Sequence, residues 1–307
     1  PTSSGKRVAS VACHIFVWHD SFCGIDIENM PPKPTVAQPE PEPEPETQEP
    51  PPRILKVRDP PSHKIKPLHP HLPQPPACVL MVSPVKTGKS TIISNLLLNE
   101  GFYGHEYFDD VFIISNTINN DQTSRFVKEH FDCEDHYTDQ MIDDLVQRQT
   151  SYKKKDQPEV ALILDDILGS LKSGSRVNTL SARFRHYNIK LLLFSTQVFR
   201  YVSNIVRQNT TNLIVGSPFP NRKELHKVAE EFGDIFGGPK QFMKIYALCT
   251  PERYDFMHCD LQANPPLAYR CFDYVVAEGD KIIVGGGTVP VTEDVDAFDT
   301  GQKVKGI

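Results

Sequence analysis

The chain has 307 residues, 39% of them hydrophobic, and a formal net charge of −6, which gives room for one large domain or two modest ones with a genuine core. No apolar run approaches the ~20 residues that span a bilayer, and the early VASVACHIFVW segment is broken by His14 and followed by charges, unlike a secretory signal. An integral membrane protein and an ordinary secreted protein are both disfavoured, and no transmembrane segment is expected. Seven cysteines, at 13, 23, 78, 133, 249, 259 and 271, form no CxxC pair and no zinc-ligand spacing. That odd count reads as reduced, small buried side chains in an intracellular protein.

In chain order, residues 1–30 show no clear period and are assigned no fold. Residues 31–52, PPKPTVAQPEPEPEPETQEPPP, carry one lysine against five glutamates and cannot bury apolar surface, so 31–76 is expected to be a Pro/Glu-rich extended linker and a Pro- and His-rich strap. From Ala77 the pattern changes to short apolar or β-branched runs alternating with helical stretches. Strands are expected at Cys78–Val82, Asp110–Ser115, Val160–Leu164, Ile189–Ser195, Asn212–Val215 and Lys244–Leu248. Helices are expected at Ser90–Leu98, Asp121–Phe131, Asp139–Tyr152, Val198–Arg207 and Arg222–Phe232. The alternation predicts an α/β domain over 77–277 with a mostly parallel sheet sandwiched by helices. Residues 278–307, with Gly285, Gly286 and Gly287, are expected to form a loose hairpin or a disordered tail.

Charge is unevenly spread. No acidic residue lies between Asp166 and Glu224, while Lys172, Arg176, Arg183, Arg185, Lys190, Arg200, Arg207, Arg222 and Lys223 are basic. Such a block is a solvated positive face or a phosphate-facing one.

The expected strand Cys78–Val82 runs into Ser83-Pro84-Val85-Lys86-Thr87-Gly88-Lys89-Ser90-Thr91 and then a helix. Strand, loop, GK[ST], helix is the context of a P-loop. Loop amides and the helix start supply partial positive charge around phosphate oxygens. Lys89 is placed to reach the β- and γ-phosphates of ATP, and the Ser90 hydroxyl to hold Mg2+. Ser83 stands where a glycine is usual, and only Gly88 relieves the backbone. The strand Val160–Leu164 ends in Asp165-Asp166; buried carboxylates are costly unless paired or facing a cation. Asp165 is the second Mg2+ candidate and Asp166 the group that polarises the attacking water, the plain alternative being that Asp166 caps a helix. Ile189–Ser195 ends in Thr196-Gln197, and Gln197 is placed to sense the γ-phosphate and orient water in the P-loop class that inserts a strand beside the phosphate strand; a Gln closing a strand is otherwise unremarkable.

Three blocks, SPVKTGKST, LILDDI and RHYNIKLLLFSTQVFRYVSNIVRQN, together resemble the poxvirus-type genome-packaging ATPases of large DNA viruses, in the FtsK/HerA branch of P-loop NTPases. The resemblance spans about residues 77–272. It implies an additional-strand P-loop NTPase with a RecA-like core, acting as an ATP-driven translocase of double-stranded DNA. Such a motor forms a homo-oligomeric ring, fills a preformed capsid and acts in the host cytoplasm or virion, with capsid, portal-like or membrane-associated virion proteins as partners. Arg185 matches the family's inter-subunit arginine finger, which stabilises transition-state charge on a neighbour's nucleotide; Arg183 and Arg207 are weaker candidates. Each has the alternative of a carboxylate or phosphate partner within the fold, and His186 reads as structural. A cellular FtsK/HerA-like motor, a nucleoside or nucleotide kinase and a non-enzymatic nucleotide-binding scaffold are the competing readings.

Overall fold

The computed structural model describes residues 68–119, 124–171, 174–284 and 287–289. The expectations for 1–30 and 31–67, and for the tail beyond Val289, lie outside them. Strands β1 (Ala77–Val82), β4 (Val160–Asp165) and β5 (Ile189–Thr196) are built on apolar runs, and every residue of β1 and β4 is buried. They lie in a parallel sheet with β2 (Asp110–Ser115), β3 (Asp132–Glu134) and β6 (Asn212–Gly216). The order across this half is β6-β1-β5-β4-β2-β3, with Val82 beside Thr196 and Asp165 beside Ser195. Strand β5 is therefore inserted between β1 and β4, which defines a P-loop NTPase fold of the additional-strand class.

Alternation along each strand feeds two cores. Cys78, Leu80, Val82, Leu162, Leu164 and Phe194 pack on one face, and Val79, Met81, Ile163, Leu191 and Leu193 on the other. Helix α1 (Lys89–Leu98) covers the second face with Ile92, Ile93, Leu96 and Leu97. Helices α3 (Asp139–Ser151), α4 (Arg176–Arg183), α5 (Asn204–Asn209), α6 (Arg222–Phe232) and α7 (Pro239–Cys249) line the first. Each fully buried Leu, Ile, Val or Phe contributes roughly 1.5–3 kcal/mol. Short α2 (Ser124–Lys128) packs beside α1. The sheet continues antiparallel through β7 (Phe256–Asp260), β8 (Leu267–Arg270), β9 (Tyr274–Glu278), β10 (Lys281–Val284) and β11 (Gly287–Val289).

Two expectations are corrected. Lys244–Leu248 is not a strand but part of α7, because Phe242, Ile245, Tyr246 and Cys249 fall at helical spacing on one buried stripe and Pro239 starts the helix. The helix expected over Val198–Arg207 is broken into a 3-10 turn at Phe199–Tyr201 and α5, whose start is capped by Ser203 accepting from the Val206 amide. Among the described residues the five cysteines are free thiols, and no helix is long and apolar enough to cross a membrane.

Candidate active site

The ends of β1, β5 and β4 deliver three segments to one edge of the sheet. The loop after β1 is tied to its neighbour by the Ser83 amide donating to the Thr196 carbonyl at 2.9 Å. It turns through two left-handed residues, Lys86 (φ 59°) and Gly88 (φ 90°), of which glycine adopts the conformation without a Cβ penalty. Gly88 offers no side-chain cap to α1, so the first-turn amides face the cleft without a capping side chain, the arrangement that suits an anion. Ser83 does not need the left-handed region. It is buried, its hydroxyl bonds that of Thr87, and Thr87 donates to the Pro84 carbonyl at 2.6 Å. A Cβ on Gly216, at the end of β6, would overlap Ser83 Oγ. Sequence reasoning missed Gly216, since one glycine closing a strand carries no signal of its own.

Lys89 is buried, its Nζ donating to the Ser83 carbonyl at 3.1 Å and lying 3.3 Å from Asp166 Oδ2. Asp166 has φ 51° and is not a helix cap; the 3-10 turn that follows, Leu168–Ser170, has no side-chain cap. Its Oδ2 accepts from Gln197 Nε2 at 2.8 Å, and Asn116 Nδ2 donates to its carbonyl at 3.2 Å. Lys89, Asp166 and Gln197 thus form one connected group. Asp165 is also buried. Its Oδ2 accepts from Ser115 Oγ at 2.8 Å, while Oδ1 has no hydrogen-bond partner. Burial, and then the charge of Asp166, push its carboxyl above the usual carboxylate range against the Ser115 hydrogen bond and the Lys89 charge.

Asp165 and Ser90 both line the main cleft, and a carboxylate and a hydroxyl are the oxygen donors that could hold a hard divalent cation. Among the described residues no cluster of three His, Cys, Asp or Glu could cage a metal.

All nine loop positions from Ser83 to Thr91 follow β1 directly, and Asp165, Asp166 and Gln197 line the cleft beside them. Arg185 is not among them. It lies exposed in a 3-10 turn, Phe184–Tyr187, before β5 begins, at the opposite edge of the sheet. Arg183, in the last turn of α4, and His186 are exposed as well. Arg207 is held within the fold: Nη1 pairs with Glu231 at 3.1 Å, Nε donates to the Val202 carbonyl at 3.0 Å, and the guanidinium sits over the Phe199 ring. The cleft, of about 990 Å³, continues beyond α1 to Phe102, Arg253, Tyr254, Phe256 and Phe272. These residues come from separate segments without a shared motif and were not anticipated.

Three solved structures to which the chain is similar are the following. This chain is similar to the genome packaging NTPase B204 from Sulfolobus turreted icosahedral virus 2 in complex with AMP, at 18% identity over 63% of this chain and 96% of that one, with a TM-score of 0.47. It is also similar to B204, the DNA-packaging ATPase from Sulfolobus turreted icosahedral virus, at 15% identity over 64% and 98% of the two chains, with a TM-score of 0.49. EssC (ATPases 2 and 3) from Geobacillus thermodenitrificans is a third, at 11% identity over 50% and 34%, with a TM-score of 0.38. No protein-family model matches the sequence, and no curated protein matches it.

Proposed function

We propose that this chain is an ATP-hydrolysing motor that translocates double-stranded DNA, in the packaging of a viral genome into a preformed capsid. The observation that carries the catalytic half is the connected group Lys89–Asp166–Gln197 at the mouth of an uncapped helix start. Loop amides and Lys89 hold the β- and γ-phosphates. Ser90 and Asp165 would hold Mg2+, which supplies neutralisation of phosphate charge when bound. As Lys89 turns to the arriving phosphate it leaves Asp166, which is then free to accept the hydrogen bond of the attacking water, with Gln197 fixing the carboxylate's orientation. Turnover is thereby linked to occupancy of the phosphate site.

The motor half rests on the sequence block RHYNIKLLLFSTQVFRYVSNIVRQN and on the acid-free basic stretch 167–223, which suits sequence-independent contacts to phosphates. Arg185 serves a neighbouring subunit in a homo-oligomeric ring, and the ring docks on capsid or portal-like virion proteins in the host cytoplasm.

Phosphate release with purified protein tests this. Lys89→Ala should lose nucleotide binding, Asp166→Asn should bind but not turn over, and duplex DNA of unrelated sequence should raise the wild-type rate. That stimulation should fall steeply with added salt. Equal loss of affinity in both variants, or a rate indifferent to DNA at low salt, would contradict the reading.

A further inference from the structure

Beyond the phosphate end, the cleft has a second half with different chemistry. Six non-glycine residues with left-handed backbone occur among the described residues, and five of them, Lys86, Asp166, Tyr254, Cys271 and Phe272, line this one cleft. Such conformations cost on the order of 1–3 kcal/mol each and cluster where structure serves a ligand. Two of the five build the phosphate end; Tyr254, Cys271 and Phe272 belong to the other half, which the proposed phosphate chemistry does not use.

The walls there are aromatic. Phe272 meets Phe256 with ring centroids 4.9 Å apart and Phe102 at 6.0 Å. Phe256 and Phe272 are buried, while Tyr254 is 54% exposed although its ring edge lies against Gly88. Arg253 lies over the Tyr254 ring at 4.9 Å, a cation–π contact. Two neutral polar side chains on this half are engaged with the protein. Asn95 Nδ2 donates to the Thr91 carbonyl at 2.9 Å, and its Oδ1 accepts from Asn99 Nδ2 at 3.4 Å. Cys271 Sγ accepts from the Phe256 amide at 3.4 Å and donates to Asp255 Oδ1 at 3.5 Å.

We propose that this half is a nucleobase subsite that holds a base by stacking and shape, with Tyr254 as its outer wall, and does not read the hydrogen-bonding edge of the base. The proposal rests on the phosphate-site reading above. Sites built to hydrogen-bond a group reject its analogue by about 10⁴–10⁵; a stacking site accepts either purine, because every base has a π-face. The chain is then a nucleoside triphosphatase with little preference between ATP and GTP.

Calorimetric titration of the full chain with ATP, GTP and inorganic triphosphate, each with Mg2+, separates the two halves. ATP and GTP should bind within about tenfold of each other and tighter than triphosphate. Tyr254→Ala should weaken both nucleotides by about 5- to 150-fold, the worth of one stacked base, and leave triphosphate affinity unchanged; Tyr254→Phe should restore the nucleotides. A preference for ATP over GTP above 1,000-fold, or equal weakening of triphosphate by Tyr254→Ala, overturns the subsite. Wild-type binding of triphosphate as tight as ATP overturns the subsite and leaves the phosphate site standing. Binding of neither removes the phosphate-site reading, and the subsite falls with it.

Discussion

Asp165 is a buried carboxylate with one oxygen satisfied by Ser115 and the other unpartnered. Leaving a buried charged oxygen without a partner costs stability that a neutral isostere avoids. Asp165→Asn should therefore raise the thermal midpoint in the presence of a chelator while abolishing Mg2+-dependent turnover. A lowered midpoint in thermal denaturation would mean that the carboxylate is held for structure and not for a cation. His258 behaves differently. It is buried, accepts from Asn212 Nδ2 at 3.1 Å and stacks on Tyr269. Burial first, and then the charge of His71, depress its pKa to about 3. The unfolded chain takes up a proton near pH 6.5 that the folded chain refuses, so His258 contributes stability above that pH that is lost as the pH falls towards 3. The thermal midpoint should drop across this window, and His258→Gln should flatten part of the slope; an unchanged slope would show that the carboxylates alone set it.

Three adjacent strands ending at one edge are what turn separate short motifs into one site. The run into SPVKTGKST, the run into Asp165-Asp166 and the run into Gln197 were each legible because strand, turn and functional group are contiguous in the chain. Other features were not. The helix α7 hides in a short apolar run whose period is visible only when Phe242 is included, and the antiparallel flank β7–β11 is made of strands too short to stand out. Tyr254 and Phe272 reach the cleft only because β7 and β8 pair antiparallel and return the chain beside α1. The Ser83–Gly216 contact likewise exists only through the pairing of β1 with β6. Gly216→Ala should force Ser83 and Thr87 aside and weaken ATP binding, and Ser83→Gly in the same chain should recover most of the loss. Side chains in contact couple by about 0.5–3 kcal/mol, so strictly additive losses in the double-mutant cycle would deny the contact.

Across the whole molecule, Arg185 and the phosphate loop sit at opposite ends of β5, about 25 Å apart at ~3.3 Å per residue. From there Arg185 does not reach its own subunit's nucleotide, which suits a role on a neighbour's. Arg207, engaged by Glu231 and the Val202 carbonyl, is committed to the fold. If Arg185 acts across a boundary, Arg185→Ala should bind ATP and hydrolyse it slowly, since such arginines are worth about 10³-fold or more in rate. Mixed with inactive Lys89→Ala protein it should regain hydrolysis, because some interfaces then join an intact Arg185 to an intact loop. No recovery in mixtures shown to co-assemble would move attention to Arg183. The most direct measurement of the proposed motor activity is displacement of a triplex-forming strand from linear duplex DNA of arbitrary sequence. ATP-dependent displacement by the wild type is expected, whatever the flanking sequence, and none by Lys89→Ala or Asp166→Asn. Hydrolysis that proceeds on the same duplex while the third strand stays bound would contradict the motor reading.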